Sequence, residues 1–335
     1  MLFTLKRVPR HFTILIFSVI VCMTFPAALA TAASKQMNMA VGTLGGTMAR
    51  LGAGVAEIFS RESKLGQITV VPGGGAANPE RVATGGTELG VTYSNFAQLA
   101  YRGKKPFKEE FKNLRGIIAF ELSFYHQFVG LEIYEGGIRT WDDVIASKKP
   151  LRIGVINRGT SSDFINRTIV GLYGLSYDDL TKRGFTLTMT GTGATAQAYQ
   201  NGQIDMWFNN TGPPNSSGVQ ASIARPTLLM NMPEQLVQKM MDEGFSRSYL
   251  NPNTYKGQTE RVSSIGATYC ILTTDKMDPQ IVYDLLSIVH SNIKFLSGVH
   301  KSFKKLDPKT SWEGTGVPLH EGAKKYYSEQ GVSLK

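Results

Sequence analysis

The sequence predicts an α/β chain folded as two related lobes, each a mostly parallel sheet flanked by helices, with a cleft between them. Three observations carry this. Strand-like runs alternate with amphipathic helical runs along most of the 335 residues, the pattern of βαβ units. The same plan then occurs twice: Met37–Val41 runs into Gly42-Thr-Leu-Gly-Gly-Thr47 and a helix, and Leu151–Ile156 runs into Asn157-Arg-Gly-Thr-Ser-Ser162 and a helix. Later in each copy a glycine is followed three residues on by an acid (Gly85/Glu88 and Gly202/Asp205) and a short strand. The spacing is nearly kept, 43 residues from Gly42 to Gly85 and 48 from Gly154 to Gly202.

Taken in order, Met37, Met39 and Val41 alternate as a strand, and Gly46 or Thr47 caps a helix over Met48–Phe59. Ile68–Val71 is a strand stopped by Pro72-Gly-Gly-Gly75. A short helix from Asn78 or Pro79 to Ala83, strand Leu89–Tyr93 and helix Asn95–Tyr101 follow. Lys104–Lys112 reads as an exposed loop, and Leu114–Phe120 and Gln127–Ile133 as two more strands. Thr140 caps a short helix through Ile145. The second lobe runs through strand Leu151–Ile156, helix Ser162–Tyr173, strand Phe185–Met189, helix Ala194–Asn201, strands Met206–Asn209 and Thr227–Met230, and helix Pro233–Glu243. Phe245–Arg261 is rich in Tyr, Asn, Pro and Gly and reads as a surface loop. Strand Ser264–Thr273 carries the chain back to the first lobe, which helices Pro279–Leu296 and His320–Gln330 complete. The expected boundaries are 31–125 with 262–335 for the first lobe and 126–261 for the second.

Lys6, Arg7 and Arg10 precede an apolar run from Phe12 to Phe25, and Pro26-Ala-Ala-Leu-Ala30 supplies small residues at the exit. This is the pattern of a cleaved signal peptide over residues 1–30, which predicts a periplasmic product. The run falls short of the ~20 residues of a membrane span. Cleavage removes three cations and no acid, so the formal charge falls from +10 to +7. The remaining basic residues are scattered, with no arginine stripe interleaved with aromatics, which argues against nucleic acid. A mildly basic surface suits an anionic solute through long-range steering. Cys270, inside Ser264–Leu272, which reads as a buried strand, is a core residue with no partner for an internal disulfide once the leader is removed.

Catalytic patterns are missing. His126, His290, His300 and His320 do not stand at metal-ligand spacing, and His290 and His300 read as surface residues. No Gly-x-Ser-x-Gly elbow and no Walker lysine occur, and the glycine spacing after Gly42 does not fit a dinucleotide fingerprint. The expectation is a monomeric binding protein that is not an enzyme, needs no cofactor and has no metal-ligating residues of its own, with a metal bridging ligand to protein left open; a hydrolase on the same scaffold is the rival.

Helix N-termini at two facing strand ends favour an anion. The expected ligand contacts in the first lobe are Thr43, Gly45, Gly46 and Thr47, with Gly73–Gly75, Tyr93 and Asn95. In the second they are Arg158, which offers a bidentate pair to a carboxylate, Thr160, Ser161, Asn209 and Asn210. Tyr125 stands near the crossover between lobes, where a packed hinge aromatic and a cleft contact are both open. Asp205 and Glu88 read as structural acids at matching turns.

The chain resembles the TAXI family of extracytoplasmic solute receptors. The resemblance rests on Val41-Gly-Thr-Leu-Gly-Gly-Thr47, Val82-Ala-Thr-Gly-Gly-Thr-Glu-Leu-Gly-Val91 with Tyr93-Ser-Asn95, Leu114-Arg-Gly-Ile-Ile-Ala119, Gly159-Thr-Ser-Ser162, Gly202-Gln-Ile-Asp205 and Val317-Pro-Leu-His-Glu-Gly-Ala-Lys-Lys-Tyr-Tyr-Ser-Glu-Gln-Gly331. It implies a two-lobed type II periplasmic-binding-protein fold, a small carboxylate ligand and delivery to an ion-gradient-driven TRAP permease. A receptor for an ABC importer or a periplasmic sensor is the alternative on the same fold. Met48-Ala49 stand where the family usually has a tyrosine pair, Asn95 replaces an Asp, and Asn157-Arg-Gly-Thr160 replaces a Gly-Ser-Gly-Thr-like loop. These departures imply a more anionic or less amine-bearing ligand.

Overall fold

The computed structural model describes residues 34–43 and 46–334; the expected leader and Gly45 fall outside them. The chain begins with β1 (Lys35–Ala40), α1 (Thr47–Glu62), β2 (Gly66–Val71), α2 (Asn78–Ala83), β3 (Leu89–Tyr93), α3 (Ser94–Tyr101) and β4 (Leu114–Leu122). It crosses at Ser123 into β5 (Phe124–Gly130), α4 (Leu131–Glu135), α5 (Trp141–Ala146), β6 (Arg152–Ile156), α6 (Ser161–Leu172), α7 (Tyr177–Lys182), β7 (Thr186–Thr190), α8 (Thr192–Gln200), β8 (Met206–Thr211), α9 (Ser216–Ala224), β9 (Thr227–Leu229) and α10 (Glu234–Asp242). A hairpin of β10 (Ser246–Leu250) and β11 (Val262–Gly266) leads back through Ala267 to β12 (Thr268–Thr274). Helices α11 (Pro279–Ser291) and α12 (Ile293–Val299), a 3-10 turn (Lys301–Lys305) and α13 (Glu321–Glu329) end the chain.

The two lobes share one topology. The first sheet has the order β2-β1-β3-β12-β4 and the second β7-β6-β8-β5-β9. In each, the strand that opens the repeat (β1 or β6) lies parallel between its two neighbours, and the fourth position is an antiparallel strand (β12 or β5) that directly follows a crossing of the chain between the sheets. The matched acids do matching work. Glu88 Oε2 accepts from Asn38 N of β1 at 2.7 Å, and Asp205 Oδ2 accepts from Arg152 N of β6 at 2.8 Å. Burial would raise the Asp205 carboxyl, but hydrogen bonds from the Arg152 side chain and backbone outweigh it and hold it below the usual carboxylate range.

Packing follows from amphipathicity. Leu51, Val55, Ile58 and Phe59 form the inner stripe of α1 and are completely buried; each such side chain stabilises the fold by about 1.5–3 kcal/mol. The two crossings are tied to each other: Ser123 N donates to Ala267 O at 3.0 Å and Ala267 N to Ser123 Oγ at 2.9 Å.

Several elements differ from expectation. Residues Ser264–Thr273 are not one strand, because the chain changes sheet at Ala267. Phe245–Arg261 is not all loop, since β10 pairs with β11. The strand expected over Gln127–Ile133 runs from Phe124 to Gly130, where an extended glycine starts α4. The expected Pro279–Leu296 helix breaks at Asn292, whose side chain donates back to Ile288 O. Lys104–Lys112 is a loop, but Phe107 and Phe111 anchor it in the core. His290 is partly buried and stacks on Tyr326 at 5.3 Å, and His300 is also partly covered. Thr140 forms the expected cap, completed into a capping box by Asp143. Cys270 is fully buried, and burial pushes its thiol pKa up. Among the described residues no helix is long and apolar enough to cross a membrane.

Candidate functional site

Three helix starts converge where the lobes meet. Helix α1 begins after Gly46, which has no side chain to cap it, so the first-turn N–H of Thr47 reaches Thr211 Oγ1 in the other lobe at 3.4 Å. Helix α6 is capped by Thr160, whose Oγ1 accepts from Asp163 N. Helix α8 starts at Thr192 after the uncapped Gly191. The partial positive ends of these three helices face one small cavity.

That cavity is lined by Gly42, Thr43, Gly46, Thr47, Gly74, Gly75 and Tyr93 from the first lobe and by Thr160, Ser161, Ser162, Thr192, Asn209, Asn210 and Thr211 from the second, with Met48 and Ile156. The lining is rich in hydroxyls and amides and, among the described residues, contains no charged side chain. Its volume is about 30 Å³, room for one or two waters. The lobes are therefore closed on each other.

Direct bonds across the cleft hold this closure. Thr43 Oγ1 and Thr192 Oγ1 are 3.0 Å apart, and Thr47 Oγ1 accepts from Thr211 Oγ1 at 3.0 Å and from Gly212 N at 3.3 Å. Tyr93 OH donates to Asn210 O at 2.8 Å; burial pushes its pKa up to about 12, which keeps it a neutral donor. Ala76 N and Ala77 N both donate to Gly159 O at 3.2 Å. Gly159 takes φ +79°, a left-handed conformation that presents its carbonyl to the other lobe. Gly74 sits so close to that carbonyl that a Cβ would overlap it. The loop holding Gly74 is pinned by Asn78, whose Oδ1 accepts from Gly74 N and whose Nδ2 donates to the carbonyls of Val41 and Val91.

On the second lobe, β8 supplies an ordered set of amides. Asn210 N donates to Ser162 Oγ, Asn210 Nδ2 to Ser161 Oγ, and Ser162 Oγ to Asn209 Oδ1. Asn209 Nδ2 is buried without a partner among the described residues. Behind it, His126 Nδ1–H donates to Asn209 O at 3.1 Å, while Tyr255 OH donates to His126 Nε2 at 2.8 Å and accepts from Asn215 N. Burial drives the His126 pKa down to about 3, so the ring is neutral, as this chain of bonds requires.

Thr43, Gly46, Thr47, Tyr93, Thr160, Ser161 and Asn209, all expected from sequence, line the cavity together. Four expected residues lie outside its lining, Gly73 among them. Arg158 is exposed beside Gly159. Tyr125 is fully buried, stacks on Phe208 at 6.0 Å and donates to Asn166 Oδ1, the arrangement of a packed aromatic. Asn95 is buried in α3 with both amide atoms unpartnered. Thr192 had not been singled out; its signal is the turn Thr190-Gly-Thr-Gly193 between a strand and a helix, the same device as in the two glycine loops.

Residues 39–331 match the NMT1-like family. Among solved structures, the chain is similar to a periplasmic transporter at 14% identity and a TM-score of 0.50, over 89% of this chain and 93% of that one. It is also similar to the alkanesulfonate-binding protein SsuA from Xanthomonas axonopodis pv. citri bound to MOPS, at 15% identity and a TM-score of 0.44 over 89% and 85% of the two chains. R. palustris Rpa4515 with adipate aligns at 14% identity and 0.49 over 89% and 93%. With both lobes and every residue lining the cavity inside the matched region, the chain belongs to the NMT1-like family and has the two-lobed periplasmic-binding-protein fold.

Proposed function

We propose that the protein is a non-enzymatic periplasmic receptor that closes its two lobes over a small carboxylate and hands it to a membrane transporter. The observation that carries this reading is Asn209 Nδ2, a buried donor without a partner in a cavity ringed by helix N-termini. An unpaired buried donor costs about 1–3 kcal/mol, which an acceptor oxygen from a ligand would offset. Helix ends and neutral hydroxyls suit an anion held by dipoles. At about 30 Å³ the cavity has room for one or two waters, so binding a solute of several carbons requires the lobes to part and reclose around it. Arg158 at the edge of the cleft would attract the anion without touching it when bound.

The TAXI-like motifs support a TRAP permease as the recipient. An ABC importer is the alternative on the same fold, and a neighbouring gene for a many-span permease rather than an ATPase separates the two. Native mass spectrometry of the protein as purified, with a thermal-shift panel of amino acids, monocarboxylates and dicarboxylates, tests the ligand class. Stabilisation by carboxylates, with ligand recovered chemically unchanged, is the expected result. Stabilisation by cationic or uncharged compounds alone, or turnover of the bound compound, would sink the reading.

A further inference from the structure

Thr47 is a shared wall. On its other side lies a second cavity of about 420 Å³, far larger than the first. It too is built from both lobes: Arg50 of α1, Asn215 and Ser216 at the start of α9, and His300 and Lys301 after α12. The chemistry of the two cavities differs. The first is lined by neutral donors, while the second carries two full cations.

Those cations are under-used. One terminal nitrogen of Arg50 donates to Ser216 Oγ at 2.8 Å, and Lys301 Nζ donates to Pro213 O. An arginine has five N–H donors and a lysine three, so most of their capacity is unspent in these contacts. Among the described residues neither side chain forms a salt bridge. Glu121, the acid facing Lys301, already accepts from Ser302 Oγ at 2.5 Å and pairs with Lys305 at 3.5 Å. Burial lowers the Lys301 pKa, so its ammonium gains from a nearby anion. Both contacts also bridge the lobes, so an anion held here would bind the closed form preferentially.

We propose that this chamber is a second anion subsite, in which Arg50 and Lys301 together take a carboxylate, sulfonate or phosphate group. Either the group is the far end of a solute whose near end occupies the first cavity, or it is a separate small anion. The first source rests on the carboxylate reading of the cleft; the second does not.

Titration calorimetry on the full mature chain in a buffer of non-coordinating ions distinguishes the sources. The probes are straight-chain monocarboxylates, α,ω-dicarboxylates of equal length, and sodium sulfate alone. If the group belongs to the solute, wild type binds a dicarboxylate at least about tenfold more tightly than its length-matched monocarboxylate, and Arg50→Gln and Lys301→Gln each collapse that ratio towards one. If it is a separate anion, sulfate alone binds and weakens about tenfold in both variants, with no dicarboxylate advantage. Arg50→Lys, which keeps the charge but loses the fork, should fall between wild type and Arg50→Gln. Melting curves confirm that each variant folds. The subsite is overturned if neither the affinity ratio nor the sulfate affinity responds to Arg50→Gln or Lys301→Gln. Loss of monocarboxylate binding in Asn209→Ala beside such a null result would retain the cleft reading and remove the subsite. Sulfate bound through Arg50 with no carboxylate bound anywhere would do the reverse.

Discussion

Gly74 and Gly159 meet backbone to backbone across the cleft, and the carbonyl of Gly159 occupies the space that a side chain on residue 74 would need. Closure therefore depends on there being no side chain at that point. Gly74→Ala should leave each lobe folded and hold the lobes apart, weakening ligand binding by the roughly 1–3 kcal/mol typical of an over-packed contact. Small-angle scattering with and without ligand, beside calorimetry, checks this. A variant that compacts normally on binding would show that the two loops slide past each other.

Among the described residues that line the cavity, Asn209 is the one with a buried, unpartnered polar atom. Asn209→Ala removes the unpartnered Nδ2 donor and also the acceptor of Ser162 Oγ. The expected cost is about 1–3 kcal/mol in ligand affinity, roughly 5- to 150-fold, with a smaller change in the stability of the ligand-free protein. Calorimetry and a urea melt read the two effects separately.

The buried imidazole makes the fold acid-sensitive. Unfolded, His126 titrates near 6.5; folded, it is held at about 3. Between these values the unfolded chain binds a proton that the folded chain refuses, so stability is full above pH 6.5 and declines as the pH falls towards 3. One such group contributes a loss of about 2 kcal/mol between pH 7 and pH 5. His126→Gln should flatten that part of the profile whatever it does to absolute stability. Urea midpoints of both proteins across pH 5–7 provide the comparison, and parallel profiles would remove His126 as the cause.

The matched acids should not be equal in worth. Asp205 is bonded by the backbone and side chain of Arg152, whereas Glu88 receives the Asn38 backbone in a more exposed position. Asp205→Asn should cost about 1.5–3 kcal/mol of stability and Glu88→Gln about 1 kcal/mol or less. Denaturant melts test the order, and a larger loss at Glu88 would contradict it.

The repeat was the most legible part of the chain because it is local. A strand, a glycine-rich turn and a helix start lie within ten or so residues, so Thr43, Gly46, Thr47, Thr160 and Ser161 could be picked out by motif alone. Features that depend on the partner strand or lobe were harder to read. The break at Ala267 has no local signature, since Ser264–Thr273 is uncharged and reads as one strand; only pairing shows that its halves join different sheets. Helices α7 and α9 were missed although Ser176 and Asn215 cap them, because each is short and its polar residues read as loop. Asn95 and Tyr125 stand at suggestive positions in sequence, but their side chains lie outside the cavity lining, and no local pattern encodes that direction.

The exchange of one strand between lobes has a consequence for how the chain matures. All five strands of the second sheet come from a continuous stretch, Phe124 to Leu229, so that sheet can assemble as soon as this stretch exists. The first sheet cannot. Its β12, wedged between β3 and β4, arrives only with residues 268–274, long after its neighbours. Such distant pairings form slowly. The half of the molecule made first is therefore completed last, leaving one edge of β3 open and β4 without its strand partner while the rest of the polypeptide emerges.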